Sequence, residues 1–166
     1  MSKKSGGAKK KMAEGSSLVC TNASASKYYD IEERYEAGMV LAGSEVKSLR
    51  ERKGDLDGSY ATLMNGELWI HKMHIGAYEQ ASVFGHESKA SRKLLLNASE
   101  IRRMSGKLTV RGYTLVPLKV YFKNGWAKVE IGLAKGKKTA DRRDDLRKKT
   151  AMREVREAMK PRTGGK

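Results

Sequence analysis

Residues 116–133 have the sequence VPLKVYFKNGWAKVEIGL, which contains the clearest structural pattern of the chain. Its centre, Asn124-Gly125, is typical of a type I′ turn, because both central residues of that turn need positive φ. The two arms then match their apolar residues in four cross-strand pairs: Phe122 with Ala127, Val120 with Val129, Leu118 with Ile131, and Val116 with Leu133. A slip of one residue would destroy this match, so the pattern predicts an antiparallel hairpin over 113–122 and 126–133 in a single register.

Shorter patterns of the same kind precede the hairpin. Asn65-Gly66 marks a second tight turn between apolar arms, and residues 29–35 alternate between apolar and polar side chains. Residues 40–50 are interpreted as a further strand. Asn97 followed by Glu100 resembles a capping box, which predicts one helix that can end at Gly106.

These elements together predict the fold class. Five or six short antiparallel strands in about 107 residues make a mainly β fold, a small closed antiparallel barrel like the OB fold. One to three short helices and a basic C-terminal tail complete the expected architecture.

The charge is concentrated at the two ends of the chain. The 166 residues carry 35 Lys and Arg against 19 Asp and Glu, a formal net charge of +16. Residues 1–26 hold +4 and residues 134–166 hold +8, whereas the longer segment 27–133 holds only +4. We therefore divide the chain into a basic disordered leader (1–26), a barrel (27–133) and a basic tail (134–166). A solubilising role would explain such a tail, but a polyanionic partner explains it better. Nucleic acid is favoured over a membrane surface, since the tail has no Trp or Phe.

The composition also argues against several classes of protein. No apolar run approaches the about 18 residues of a membrane-spanning helix, and the N-terminus lacks the apolar region of a signal peptide. Cys20 is the only cysteine. A disulfide framework within the chain is therefore impossible, and a cytoplasmic location is expected.

Patterns that would indicate catalysis or metal binding are weak. The segment 132–139, GLAKGKKT, departs from a phosphate-binding loop because three residues separate its glycines and a second Lys precedes the Thr. His71 and His74 lie three apart on a predicted strand, so they should point to opposite faces and predict no metal site. We expect no catalytic residues and no cofactor, and we interpret the chain as a binding protein and not an enzyme.

The tail has the pattern of a helix without a core-facing side. Asp141 can cap it, and two ion pairs at i, i+4 follow, Asp144–Lys148 and Asp145–Lys149. Met152, Val155 and Met159 form a stripe too narrow to hold the helix on the barrel. We expect the tail to be loose when free and helical on a polyanionic surface, with a permanently solvated helix as the alternative.

Five motifs follow one another in order between about Asn22 and Lys160: EAG at 36–38, GxEVKSLR at 43–50, RKLLLN at 92–97, KNxW at 123–126, and GLAKGKK with DRR at 132–143. Together they resemble the SmpB family, the SsrA-binding proteins of bacterial trans-translation. The resemblance implies an OB-like barrel that binds the tRNA-like domain of transfer-messenger RNA (SsrA). It further implies delivery of that RNA, with elongation factor Tu bound to it, to stalled ribosomes.

The resemblance also implies roles for individual residues. The family's RNA-binding residues match Glu36, Leu95, Asn97 and Lys128. Tyr121 is a further RNA-binding candidate, because it is expected beside Lys128 on the polar face of the hairpin, where a cation and a ring suit RNA. Structural roles compete with these, since Glu36 could close a turn, Leu95 could be core and Asn97 could only cap the helix.

The tail would enter the decoding centre of the small subunit and the empty mRNA channel. The family's decoding-centre residues match Gly136, Lys137, Asp141, Arg142 and Arg143. Further tail candidates for ribosome contact are Lys138, Met152, Met159 and Lys160. A monomer is expected. A permanent ribosomal protein and an RNA-processing enzyme remain alternatives.

The chain departs from the family's usual residues at three places. Ala23 and Ser24 stand where two basic residues are usual, Ala140 where a His or Tyr is frequent, and Ala151 near a common Trp. Ala140 cannot stack on a nucleotide, and the phosphate contact after Asn22 should be weaker.

Overall fold

The computed structural model describes residues 15–81 and 85–159. Within these ranges the elements follow in this order: β1 (Ser16–Thr21), α1 (Ala25–Tyr28), β2 (Tyr29–Met39), α2 (Gly43–Arg50), β3 (Gly54–Asp55), β4 (Tyr60–Met64), β5 (Glu67–His71), β6 (His74–Ile75), β7 (Arg92–Leu95), α3 (Ala98–Leu108), β8 (Tyr113–Lys123), β9 (Trp126–Gly136) and α4 (Thr139–Ala158). We call residues 16–136 the β-body. None of the helices in these ranges is long and apolar enough to cross a membrane.

Seven strands of the β-body form one antiparallel sheet in the order β1-β8-β4-β5-β7-β2-β9. β9 pairs along most of its length with both β2 and β8. The last strand of this order is therefore also paired with the second strand, β8. β8 joins β4 through the single pair of Ala61 and Leu115. The predicted mainly β, antiparallel fold with a few helices is confirmed. Complete closure into a barrel stays a prediction, because it depends on this one join.

The core lies between the sheet and the helices α2 and α3. Its fully buried side chains include Leu49 of α2, Met104 of α3, and Leu68, Ile70, Ile131 and Leu133 of the sheet. Buried and more exposed residues alternate along β2 and β5, as expected for a half-buried sheet, whereas β8 is buried on both faces along much of its length. The outward face is therefore the surface on which a binding site can be built.

The central hairpin forms as predicted near its turn. Asn124 and Gly125 have φ of 50° and 80°, and the predicted partners of Phe122 and Val120 are confirmed. The predicted partners of Leu118 and Val116 are wrong, because a bulge between Pro117 and Lys119 leaves Leu118 without a partner on β9 and pairs Val116 with Gly132. Pro117 has no N–H to donate to the ladder. The extra residue, Leu118, packs instead into a second apolar cluster with Ala25, Val116 and Ala134.

The interpretation of residues 40–50 as a strand is wrong, since Gly43–Arg50 forms α2. The Glu45 carboxylate accepts a hydrogen bond from the Ala42 backbone N–H at 2.9 Å, which satisfies a free donor at the start of the helix. Glu45 is itself buried and held by Arg92, whose Nε lies 2.7 Å from the Glu45 Oε1. The helix therefore depends on a residue 47 positions away.

The predicted disordered leader overlaps the folded β-body. Residues 1–14, which contain all the charged residues of this segment, lie outside the described residues. Residues 16–26 differ from the prediction, because β1 pairs with β8 and Ala25 is only 3% exposed. The segment after Glu14 has no charge and can therefore cover an edge of the sheet.

The helix predicted at Asn97 is present, with Asn97 as its N-cap residue. The capping box is not formed, since the Asn97 side chain makes no capping hydrogen bond. Gly106 lies inside the helix and does not end it, because α3 continues to Leu108, which packs against the core.

The helix α4 has no buried residue. Its N-cap is Lys138, so the prediction that Asp141 caps it is wrong, and Asp141 occupies the third helical position. Asp145 pairs with Lys137 rather than with Lys149. Lys160 lies outside the described residues.

Candidate functional site

Four of the predicted RNA-binding residues come together on the outward face of the sheet. Glu36, Leu95, Asn97 and Lys128 line one depression, together with Leu96 and Glu100. Strand pairing explains this, because Gly38 of β2 lies opposite both Leu95 of β7 and Lys128 of β9. Directly opposed residues share a face of the sheet, and Glu36 lies two positions before Gly38 on that face. We call this depression the RNA pocket, after the RNA-binding role predicted for its residues.

Gly38 lies beside the RNA pocket, between its residues Leu95 and Lys128. A Cβ at this position would lie 3.6 Å from the Leu95 Cβ and 3.9 Å from the Lys128 Nζ. The absence of a side chain therefore leaves open the space between an apolar group and a cation. A partner can approach the backbone there.

Glu36 is held as a carboxylate by two neighbours. The Tyr121 hydroxyl donates a hydrogen bond to Glu36 Oε2, and Lys123 Nζ donates to Glu36 Oε1 at 3.1 Å. The Tyr121 bond, followed by Lys123, lowers the pKa of Glu36 below its usual range. Burial, and then Glu36 itself, raise the pKa of Tyr121. Glu36 therefore presents acceptors at neutral pH, and the Tyr121 hydroxyl stays protonated as their donor.

The exposure of each side chain decides between the competing roles. Leu95 is 54% exposed, so it is not a core residue. Glu36 lies inside β2 and not in a turn. Asn97 occupies the cap position, yet its exposed side chain leaves the capping bond unmade. Tyr121 pairs with Lys128 as predicted, but with only 7% of its surface exposed its ring is not available for stacking.

Lys128 differs from the lysines around it. Lys119 lies 3.3 Å from Glu130, and Lys123 lies 3.1 Å from Glu36. In residues 15–81 and 85–159 no carboxylate lies within ion-pair distance of Lys128. Its ammonium group is therefore available to a phosphate.

The predicted decoding-centre residues form a second group at the junction of β9 and α4. Lys137 Nζ donates to the Ser26 carbonyl at 3.0 Å and pairs with Asp145 at 2.5 Å. Arg142 Nε donates to the Lys137 carbonyl at 3.2 Å, and its guanidinium lies 5.5 Å from the Tyr28 ring centroid. The hydrogen bond from Lys137 lowers the pKa of Asp145. These contacts fasten the first two turns of α4 to the β-body.

The remaining tail residues are exposed and far from any core. Asp141 and Arg143 face solvent, and Met152 and Met159 are 75% and 77% exposed. Gly136 and Lys138 connect β9 to the helix. The structure does not bring this group and the RNA pocket into one site, because the RNA pocket lies on β2, β7 and β9 and the start of α3.

Sequence reasoning missed several contributors. Gly38 adjoins Leu95 and Lys128 of the RNA pocket, and Lys123 pairs with its Glu36. Tyr28 and Asp145 belong to the tail junction. The EAG motif contained Gly38 but gave no reason for it, since the reason is the pairing of β2 with two distant strands.

A metal site is not present in the described part of the chain. No group of three or more His, Cys, Asp or Glu is placed there to hold an ion. The His71 ring nitrogens lie at hydrogen-bond distance from Thr62 Oγ1, at 2.7 Å, and from Ser91 Oγ, at 2.8 Å.

Comparison with known proteins agrees with this arrangement. The family model described as "SmpB protein" matches residues 19–161. The SsrA-binding protein of Desulforudis audaxviator (strain MP104C) is 53% identical over 145 residues, which is 87% of this chain and 95% of the relative. That of Geobacter metallireducens (strain ATCC 53774 / DSM 7210 / GS-15) is 49% identical over 149 residues, 90% of this chain and 97% of the relative.

A solved structure described as "tmRNA-SmpB: a journey to the center of the bacterial ribosome" is also similar. It matches with a TM-score of 0.61 and 48% identity, over 72% of this chain and 85% of that chain. Since the family model covers most of the chain and the relatives match nearly end to end, the chain belongs to the SmpB family.

Proposed function

We propose that this protein binds the tRNA-like domain of transfer-messenger RNA and delivers it to stalled ribosomes for trans-translation. One observation carries the proposal. Four side chains of different chemistry, from β2, β7, β9 and the start of α3, line a single outward-facing pocket in a member of the SmpB family.

Each side chain of the RNA pocket suits a different part of a nucleotide. The Glu36 carboxylate accepts hydrogen bonds from the N–H groups of a base edge, and Asn97 can donate or accept. Lys128 neutralises a phosphate, and exposed Leu95 packs against a base or ribose. Tyr121 acts through Glu36, because its hydroxyl fixes the carboxylate that would contact the RNA.

The tail gives a second, separate contact. We infer that α4 enters the decoding centre and the empty mRNA channel, where Lys137, Arg142 and Arg143 contact ribosomal RNA. Met152 and Met159 have no partner in the β-body, and Lys160 follows them in the chain. The helix makes its cationic surface available without burying any of its own residues. Most helical stability in proteins comes from tertiary packing, which α4 lacks because none of its residues is buried, so contact with RNA should stabilise the helix.

The protein then works as an adaptor without turnover, in the cytoplasm and as a monomer. Elongation factor Tu would join the complex through the RNA. A β-body with little net charge for its length suits recognition of one folded RNA, whereas a cationic helix suits the phosphate-lined passage of a ribosome.

The test is to recover the protein from cells with its bound RNA. We expect one dominant tRNA-like RNA and association with a minority of ribosomes. The variant K128A should lose most of this RNA, because it removes the one RNA-pocket cation without an ion pair. Heterogeneous ribosomal RNA fragments, with equal stoichiometry on all ribosomes, would instead establish a permanent ribosomal protein.

A further inference from the structure

An aromatic surface lies on the outward face of β4 and β5, apart from the RNA pocket. Tyr60 pairs with His71 across these strands, and Thr62 pairs with Trp69. The Tyr60 and His71 rings stack with centroids 5.1 Å apart and an angle of 30° between their planes. Tyr60 keeps 44% of its surface exposed. Stacked rings at the surface of a strand pair form a ready support for a further flat group.

The His71 ring is fixed in place. Thr62 Oγ1 lies 2.7 Å from Nε2, and Ser91 Oγ lies 2.8 Å from Nδ1. Because both ring nitrogens have a hydroxyl partner, the ring cannot rotate without losing hydrogen bonds. The stack with Tyr60 is therefore organised before any ligand arrives.

A cation completes this surface. Lys72 has φ of 57°, a conformation that non-glycine residues rarely adopt. This turn brings Lys72 Nζ to 5.9 Å from the centroid of the Tyr60 ring. No carboxylate of the described residues forms an ion pair with Lys72, so its charge is available to a phosphate.

The same face connects to the RNA pocket. Trp69 of β5 pairs with Lys93 of β7, and Lys93 lies two residues before Leu95 on the same outward face. The outward residues thus run without interruption from the RNA pocket across β7 to Tyr60. Aromatic faces beside lysines are the combination on which unpaired nucleotides stack.

We propose that Tyr60, His71 and Lys72 form a stacking platform for an unpaired nucleotide of the RNA bound at the RNA pocket. The base stacks on the aromatic pair, and Lys72 contacts the adjoining phosphate. This inference rests on the proposed function, to which it adds a second RNA contact on the same outward face of the sheet. It commits to RNA because the surface joins an aromatic stack to an unpaired cation.

The experiment measures the affinity of the full chain for full-length transfer-messenger RNA. We expect Tyr60→Ala to weaken binding about tenfold, since it removes the ring on which the base stacks. The matched control Tyr60→Phe keeps the ring and should bind as the wild type does. Lys72→Asn removes the charge with a residue that tolerates this backbone conformation, and should reduce the slope of log affinity against log salt by about one phosphate.

A second readout reports contact directly. Trp69 and Trp126 are the only two tryptophans, so Trp126→Phe leaves Trp69 as the sole fluorophore, and RNA binding should change its emission. Thermal unfolding of each variant shows whether weaker binding comes from a lost RNA contact or from a lost fold. The salt dependence of Lys72→Asn is a separate test, because this variant keeps the Tyr60 ring. Wild-type affinity and slope in Tyr60→Ala and Lys72→Asn, with Lys128→Ala weakened, would overturn the platform and leave the proposed function standing. Equal binding of the wild type to this RNA and to an unrelated RNA would overturn both.

Discussion

The RNA pocket and the helix α4 are built in opposite ways. The RNA pocket is assembled from three strands and the start of a helix, and its Glu36 is held by Tyr121 and Lys123. The helix α4 has no buried residue and contacts the β-body only near its start in the described structure, through Lys137 and Arg142. This difference fits our proposal that the RNA pocket recognises one folded RNA, whereas α4 is stabilised by the ribosome.

Removal of α4 should have the largest effect, because it deletes one of the two regions and leaves the other intact. A chain that ends after Lys138 should keep its affinity for transfer-messenger RNA within about twofold and lose tagging of stalled nascent chains to background. The cut must follow Lys138, because Ala134 is fully buried and Gly136 still pairs with Tyr29. A chain that ends after Met159 is the control, measured in the same tagging assay. Tagging by the shorter chain would show that α4 has no role on the ribosome.

The next largest effect concerns the rigidity of the β-body. Arg92 and Glu45 form a buried ion pair, with side chains 3% and 8% exposed, and Arg92 also donates to the backbone carbonyls of four residues. Arg92→Leu leaves a buried carboxylate unpaired and should lower the free energy of unfolding by about 3–5 kcal/mol. The neighbouring Lys93 pairs with Glu67 at the surface, so Lys93→Ala should cost less than about 1 kcal/mol. Urea unfolding measures both, and equal costs would contradict the structural role of Arg92.

The third effect compares one cation in each region. Lys128→Ala should weaken RNA binding about tenfold and reduce the salt dependence by about one phosphate. Arg143→Ala removes the same charge from α4 and should leave this affinity unchanged while lowering ribosome rescue. Filter binding across a salt series checks the first, and a tagging assay checks the second. Equal weakening of RNA binding by the two variants would contradict the assignment of RNA binding to the RNA pocket and of ribosome contact to α4.

The smallest effect concerns the attachment of α3, which carries Asn97 into the RNA pocket. The hydrogen bond from Lys107, then that from Tyr35, and the Arg103 contact lower the pKa of Glu33 from 4.5 to about 2. Because the folded pKa is the lower one, Glu33 stabilises the fold above pH 4.5, and this stabilisation is lost as the pH falls towards 2. Glu33→Gln should therefore be less stable than the wild type at neutral pH, with a difference that disappears near pH 2. Urea midpoints across this range check it, and a difference that grows on acidification would contradict it.

The parts of the fold that follow from local chemistry were predictable. The Asn124-Gly125 turn fixed the hairpin, because positive φ and matched apolar arms are both readable from neighbouring residues. The bulge at Leu118 was not readable, since its cause includes a second apolar cluster formed with Ala25. The helix at 43–50 was missed for a similar reason. Its buried Glu45 is neutralised by Arg92, which no local pattern near residue 45 reveals.

The candidate site was predictable only in part. Resemblance to a family supplied Glu36, Leu95, Asn97 and Lys128, which the structure brings into one pocket. The position of Gly38 depends on the pairing of β2 with β7 and β9. The burial of Tyr121 follows from its place on β8, which pairs on one side with β1 and on the other with β9. Such long-range register is a property of the folded sheet and has no signature in a short stretch of sequence.

Amide hydrogen exchange of the free and ribosome-bound protein tests whether the β-body is rigid before binding and whether α4 becomes protected only on the ribosome. In the free protein, amides of β2 and β9 should exchange slowly, whereas amides of α4 beyond Arg142 should exchange quickly, because no packing protects that helix. On ribosomes loaded with transfer-messenger RNA, the α4 amides should become protected and those of β2 and β9 should stay protected. Protection of α4 equal to that of β9 in the free protein, unchanged on the ribosome, would contradict the account.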